Sequence, residues 1–166
     1  MTASAERPRT ARLGPASDLE RLRKALAAEH AAIYAYGLIG ARTTGALRAR
    51  VTSAFDGHRA RRDQLRGLIT ARQGRPAEPE PSYALPVTPD NATEAIRLAV
   101  HVEQGITATY LELAACEDAA LRRYAALAMQ ESVTRAYGFR PSVPTFPGMP
   151  TPPKPTPTQT PTTSPG

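Results

Sequence analysis

Residues Leu22–Tyr36 read LRKALAAEHAAIYAY, and residues Ile96–Tyr110 read IRLAVHVEQGITATY. Laid one on the other at an offset of 74, Arg23 falls on Arg97, Ala25 on Ala99, Glu29 on Glu103 and Tyr36 on Tyr110. In both stretches apolar residues recur at spacings of three and four, which is the period of a helix with one buried face. In both, a single glutamate sits on that apolar stripe. Two helices built alike, in helix pairs of similar length, predict a bundle made of two related halves.

Working outward, each stretch acquires a start and a partner. Ser17-Asp18-Leu19-Glu20 is a capping box, in which serine and glutamate satisfy free amides at a helix start. The first helix then runs along Leu19, Leu22, Leu26, Glu29, Ile33, Tyr36 and Gly40, and breaks at Thr43-Thr44-Gly45. A second follows from about Ala46 to Gln73 along Leu47, Val51, Ala54, His58, Arg61, Leu65 and Leu68, and Gly74 ends it. The third begins near Asp90 or Asn91, with Glu94 placed to complete its cap, and breaks at Glu117-Asp118. The fourth runs from about Ala119 to Tyr137 along Leu121, Tyr124, Leu127 or Ala128, Glu131, and Thr134 or Arg135. Gly138 and Pro141 close it.

The expected fold is therefore all-α, with two antiparallel hairpins. Between them lies GRPAEPEPSYALPVTP, residues 74–89, which has no periodic pattern. A helix of the second one's length spans about 42 Å, and fifteen extended residues reach about 50 Å. This stretch can thus run the length of the bundle as one long crossover, giving an up-down-down-up order. An up-down-up-down bundle with a slack loop is the alternative.

Ionisable side chains on a core stripe need partners. The midpoint of Glu29 and His58 falls in the first loop, and that of Glu103 and Glu131 falls at Glu117 in the second. Within each hairpin the two residues are level, so a twofold packing of the hairpins brings all four near mid-bundle. Carboxylates and an imidazole meeting in a helical core are the donor types of a divalent metal such as iron, manganese or zinc. The competing reading is a metal-free polar network. In it Arg61 or Arg62 pairs with Glu29 or Glu103, Asp63 supports His58, and Tyr36, Tyr110 and Tyr124 donate hydroxyls. Of the two, the metal-free network is the preferred reading.

The EHAAIYAYGLIGAR, HRARRDQL and EQGITATY segments resemble the ferritin-like superfamily, and more closely a bacterial ferritin-like domain family of unknown function. The resemblance covers about residues 17–140 and implies a ferritin-like four-helix bundle. Metal-binding members carry one glutamate on each of two helices and a Glu-x-x-His pair on each of the others. Glu29, His58, Glu103 and Glu131 match that pattern. Phe55 and Thr134 stand where it has a glutamate and a histidine. The resemblance thus implies a degenerate site in a non-catalytic structural or interaction module. The alternative is a metal-binding protein with an incomplete centre and a redox role.

No glycine-rich phosphate loop, Ser-His-Asp pattern or Cys/His zinc spacing is present, so no reaction can be named. Residues 1–75 carry 15 basic and six acidic side chains, and residues 76–166 six and nine. The surplus lies in Arg48, Arg50, Arg59, Arg61, Arg62, Arg66, Arg72 and Arg75. No recognised nucleic-acid-binding motif accompanies them, which argues against a nucleic-acid face. No apolar run suits a membrane span or signal peptide, and one cysteine makes no internal disulfide, so the cytoplasm is the expected compartment. Alanine-rich outer faces on helices 1 and 4 would allow a homodimer. The chain is expected to divide into a flexible start (1–16), the bundle (17–140) and a disordered Pro/Thr-rich tail (141–166). Phe139 and Phe146 are the expected points where that tail docks.

Overall fold

The computed structural model describes residues 17–150 and contains four helices, α1 (Asp18–Ala41), α2 (Gly45–Ala71), α3 (Ala92–Leu113) and α4 (Ala119–Phe139). No described residue lies in a strand. The caps sit where the sequence puts them. Ser17 Oγ accepts from the Glu20 amide, and the Glu20 carboxylate accepts from the Ser17 amide at 2.6 Å. Asn91 Oδ1 accepts from the Glu94 amide at 3.0 Å, while Glu94 accepts from the Asp90 amide at 2.9 Å. Asp118 caps α4 by accepting from Ala120 and Leu121. Carboxylates at helix starts also suit the positive end of the helix dipole.

Helix direction follows from two reciprocal contacts. Tyr36 of α1 reaches Glu103 of α3, and Glu29 of α1 is reached by Tyr110 of α3. Going up α1 means going down α3, so these helices are antiparallel and α3 is parallel to α2. The connection must therefore return the full length of the bundle, and it does so along α1. Gly74 lies against Leu19. The Ala77 carbonyl accepts from His30 Nε2 at 3.1 Å, the Tyr83 ring meets Tyr34 at 5.6 Å, and the Pro89 carbonyl accepts from Arg42 at 2.9 Å. A glycine suits the first of these points, because an added Cβ would come within 2.9 Å of Ile69 Cγ2 and 3.2 Å of the Ile69 carbonyl oxygen, besides 2.6 Å of Leu19 Cδ1. The order is up-down-down-up, and the slack-loop alternative is set aside.

α1 packs on α2 and α3, and α3 packs on α4. Two apolar clusters fill the interior. One gathers Leu22, Leu26, Leu65, Ile69, Leu113 and Leu121 at one end, the other Tyr36, Ile39, Val51, Leu98 and Phe139 towards the opposite end. Between them Glu29, His58 and Glu103 are sealed from solvent.

Past α4, residues 141–150 make turns that lie back along α3, with Gly148 (φ +85°) close to Leu111 and the Thr107 carbonyl. The stretch expected to leave the fold at Pro141 thus stays on it through Pro150. Phe139 is buried against Tyr36, whereas Phe146 is 71% exposed and does not dock. The expected flexible start and the rest of the Pro/Thr-rich tail lie outside the described residues. Among the described residues, no helix is long and apolar enough to cross a membrane.

Candidate functional site

Glu29 of α1, His58 of α2 and Glu103 of α3 each project from a core stripe, and each is fully buried. His58 lies between the two carboxylates. Its Nδ1 is 2.7 Å from Glu29 Oε2, and its Nε2 is 3.0 Å from Glu103 Oε1. Tyr110 donates to Glu29 Oε1 at 2.7 Å, and Tyr36 donates to Glu103 Oε1 at 2.6 Å. The fourth helix contributes Arg135, whose Nε donates to Glu103 Oε1 at 2.9 Å and whose Nη2 donates to the buried Ser132 hydroxyl at 3.3 Å.

A neutral imidazole has one N–H, yet both ring nitrogens here face carboxylate oxygens. The geometry is that of an imidazolium. Burial disfavours the charged ring, but hydrogen bonds to Glu103 and Glu29 and the charges of both more than offset it. They push the His58 pKa up to about 9. Burial likewise opposes ionisation of Glu103, and the hydrogen bond and charge of His58, followed by Arg135, pull its pKa below the ordinary carboxylate value. Burial and the adjoining carboxylates keep the Tyr36 and Tyr110 hydroxyls protonated. Two carboxylates thus face one imidazolium and one guanidinium, and the centre is electrically balanced without any further ion.

The other residues expected here are placed differently. Glu131 is half-exposed and takes a paired grip from Arg61 at 3.1 and 2.5 Å. It does not join Glu29, His58 and Glu103. Arg61, expected to reach Glu29 or Glu103, is held by Glu131 instead, with its guanidinium 5.0 Å from the Tyr124 ring centre. Arg62 and Asp63 bond each other at the surface at 2.8 Å, so neither enters the core network. Tyr124 packs its ring against Tyr110. Helix rotation accounts for these differences. Ser132 is the level α4 residue that faces inward, and one residue further back around a helix turns a side chain by 100°. Among the described residues, no three His, Cys, Asp or Glu side chains are arranged to hold a metal ion.

Ser132 escaped the sequence reading, and Arg135 entered it only as one alternative on the fourth stripe, although the offset of 74 carries both. It relates Ser17 to Asn91 and Glu20 to Glu94, both pairs serving as caps. It relates the start of α2 to the start of α4. Arg48 donates to the Thr43 carbonyl, and Arg122 donates to the Glu117 carbonyl, at equivalent points of the two hairpin loops. Continued down the second helix of each half, the same offset sets His58 against Ser132 and Arg61 against Arg135.

Two comparisons with known proteins found a match. A solved structure, a conserved hypothetical protein, rv2844, from Mycobacterium tuberculosis, is similar over 75% of this chain and 95% of its own, with 32% identity and a TM-score of 0.72. No curated protein matches the chain. Residues 21–151 match the family described as Domain of unknown function (DUF4439), taking in all of α2, α3 and α4 and all but the first turn of α1. With most of its length and its whole polar centre inside that match, the chain belongs to this family.

Proposed function

We propose that this protein is a ferritin-like bundle whose metal centre is degenerate, and that it serves as a non-catalytic structural or interaction module. The observation that carries this reading is the position of His58. Both ring nitrogens are turned to buried carboxylates, so neither lone pair faces a shared space in which a cation could sit. Arg135 supplies the remaining positive charge that a metal would otherwise bring. A divalent ion would have to displace protons from the ring and break bonds to two tyrosines and an arginine.

The arginines of α2 support a role within the chain. Arg48 and Arg50 bond the carbonyls of Gly40 and Gly138, while Arg59, Arg61, Arg62, Arg66 and Arg72 each pair with an acidic residue. They act chiefly as clamps between elements rather than as a free basic face.

The test is elemental analysis of protein purified without chelators, together with nitrogen NMR of the His58 ring. The expected result is no stoichiometric iron, manganese or zinc, no thermal stabilisation on adding them, and both ring nitrogens protonated at pH 7. Stoichiometric metal bound with an unprotonated His58 nitrogen would overturn the reading.

A further inference from the structure

The two halves treat their central glutamates unequally. Glu29 has a donor at each oxygen, Tyr110 at Oε1 and His58 at Oε2. Glu103 accepts from Tyr36, His58 and Arg135 at Oε1 alone, and no described residue donates to its Oε2, which is buried. By the offset of 74, the group that should serve Glu103 Oε2 as His58 serves Glu29 belongs to position 132. That position holds a serine, too short to do what an imidazole does.

We propose that the half-site between Glu103 Oε2 and Ser132 binds one small neutral hydrogen-bond donor, a water molecule in the protein as isolated. Neutrality follows from the charges, since His58 and Arg135 already balance both carboxylates. Small size follows from burial, since Glu103 and Ser132 are both fully buried and Arg135 already bonds each of them. The required partners are present. Glu103 Oε2 accepts from the water. The Ser132 hydroxyl, accepting from Arg135, keeps its own hydrogen to donate to the water, and a buried water needs at least two such contacts. An ionised carboxylate oxygen left bare in the core would cost more than an ordinary unsatisfied group. The inference rests on the metal-free reading, because a metal ion would claim the same oxygen.

Four full-length proteins test this, each measured with and without EDTA: the parent, Ser132→Asn, Ser132→Ala and Ser132→Val. Asparagine brings an amide that can donate to Glu103 directly, alanine removes one of the water's contacts, and valine fills the space without a donor. Tm should fall in the order parent and Asn, then Ala, then Val, with Val lower than the parent by about 3–8 °C. Water-to-protein NMR transfer should show a long-lived water beside residue 132 in the parent, and none in the Asn and Val proteins. A Val protein as stable as the parent, or a water signal missing from the parent or persisting in Val, overturns the proposal. A Tm order that appears only in EDTA would instead reveal a metal at this oxygen, overturning both this proposal and the metal-free reading. Failure of the order without any metal dependence sinks the water site alone.

Discussion

The hairpin α1–α2 and the hairpin α3–α4 start their helices at the same offset, cap their first helices alike and set a glutamate and a tyrosine at matching heights. They differ in the second helix of each pair. In α2 a histidine takes the inner position and the arginine three residues on is turned to Glu131 of α4. In α4 the inner position is a serine, and the arginine three residues on reaches inward to Glu103. A large inner residue displaces the arginine, and a small one admits it. Two equivalent carboxylates thus share one imidazolium, one of them also gains a guanidinium, and the sum of charge at the centre comes to zero.

The comparison can be broken most forcefully at its inner positions. Replacing His58 by alanine leaves Glu29 and Glu103 buried and short of a cation, and should cost about 3–5 kcal/mol. Ser132→Ala, at the equivalent place, should cost under about 1 kcal/mol. Urea denaturation of both variants measures the contrast, and equal losses would mean that the halves are not distinguished by His58.

Stability against pH is the next test. The folded His58 pKa of about 9 lies above the ordinary value of 6.5, so its contribution is complete below about pH 6.5 and is lost as pH rises through 9. The loss should come to about 3 kcal/mol, and a His58→Gln protein should lack it. Glu103 acts in the opposite sense. Its depressed pKa adds stability above about pH 4.5 that disappears on acidification through the folded value. Denaturation midpoints from pH 4 to 10 should peak between these limits; a curve that stays flat from pH 6.5 to 9.5 would remove the imidazolium from the account.

The arginines come next in size. Arg135→Ala strips a partner from a fully buried carboxylate and should cost about 2–3 kcal/mol, whereas Arg61→Ala, whose partner Glu131 is half in solvent, should cost about 1 kcal/mol or less. Comparable losses would show that Arg61 also serves the core. The smallest expected contrast lies in the tyrosines. Tyr110 is the only described donor to Glu29 Oε1, while Tyr36 shares Glu103 Oε1 with two others. Tyr110→Phe should therefore cost about 1–2 kcal/mol and Tyr36→Phe about 1 kcal/mol or less, read from paired denaturation curves.

Much of the frame is legible without coordinates because its signals are local. Ser17, Glu20, Asn91 and Glu94 mark helix starts through bonds that span three or four residues. Hairpin arithmetic places Glu29 level with His58, and the repeat aligns Glu29 with Glu103 and Tyr36 with Tyr110. Those four residues and His58 do meet. Glu131 and Arg135 are harder. On an Ala- and Arg-rich helix the inner stripe reads equally well one residue to either side, and that step is enough to exchange a buried side chain for an exposed one. Arg62 and Asp63 were drawn into the core by the same ambiguity on α2.

By itself the sequence determined where the helices begin and end, that two glutamates and one histidine lie at a common height, and that the middle connection is long enough to cross the bundle. Caps, breaks and periodicity act over a turn or two of chain, so they survive without neighbours. Only the tertiary structure decided which cation answers which carboxylate, and that both nitrogens of His58 face carboxylate oxygens. Those outcomes depend on the rotation of each helix about its axis and on the size of the residue beside it. They are set by contacts between residues far apart in the chain, inside a core dry enough to make an unpaired charge costly.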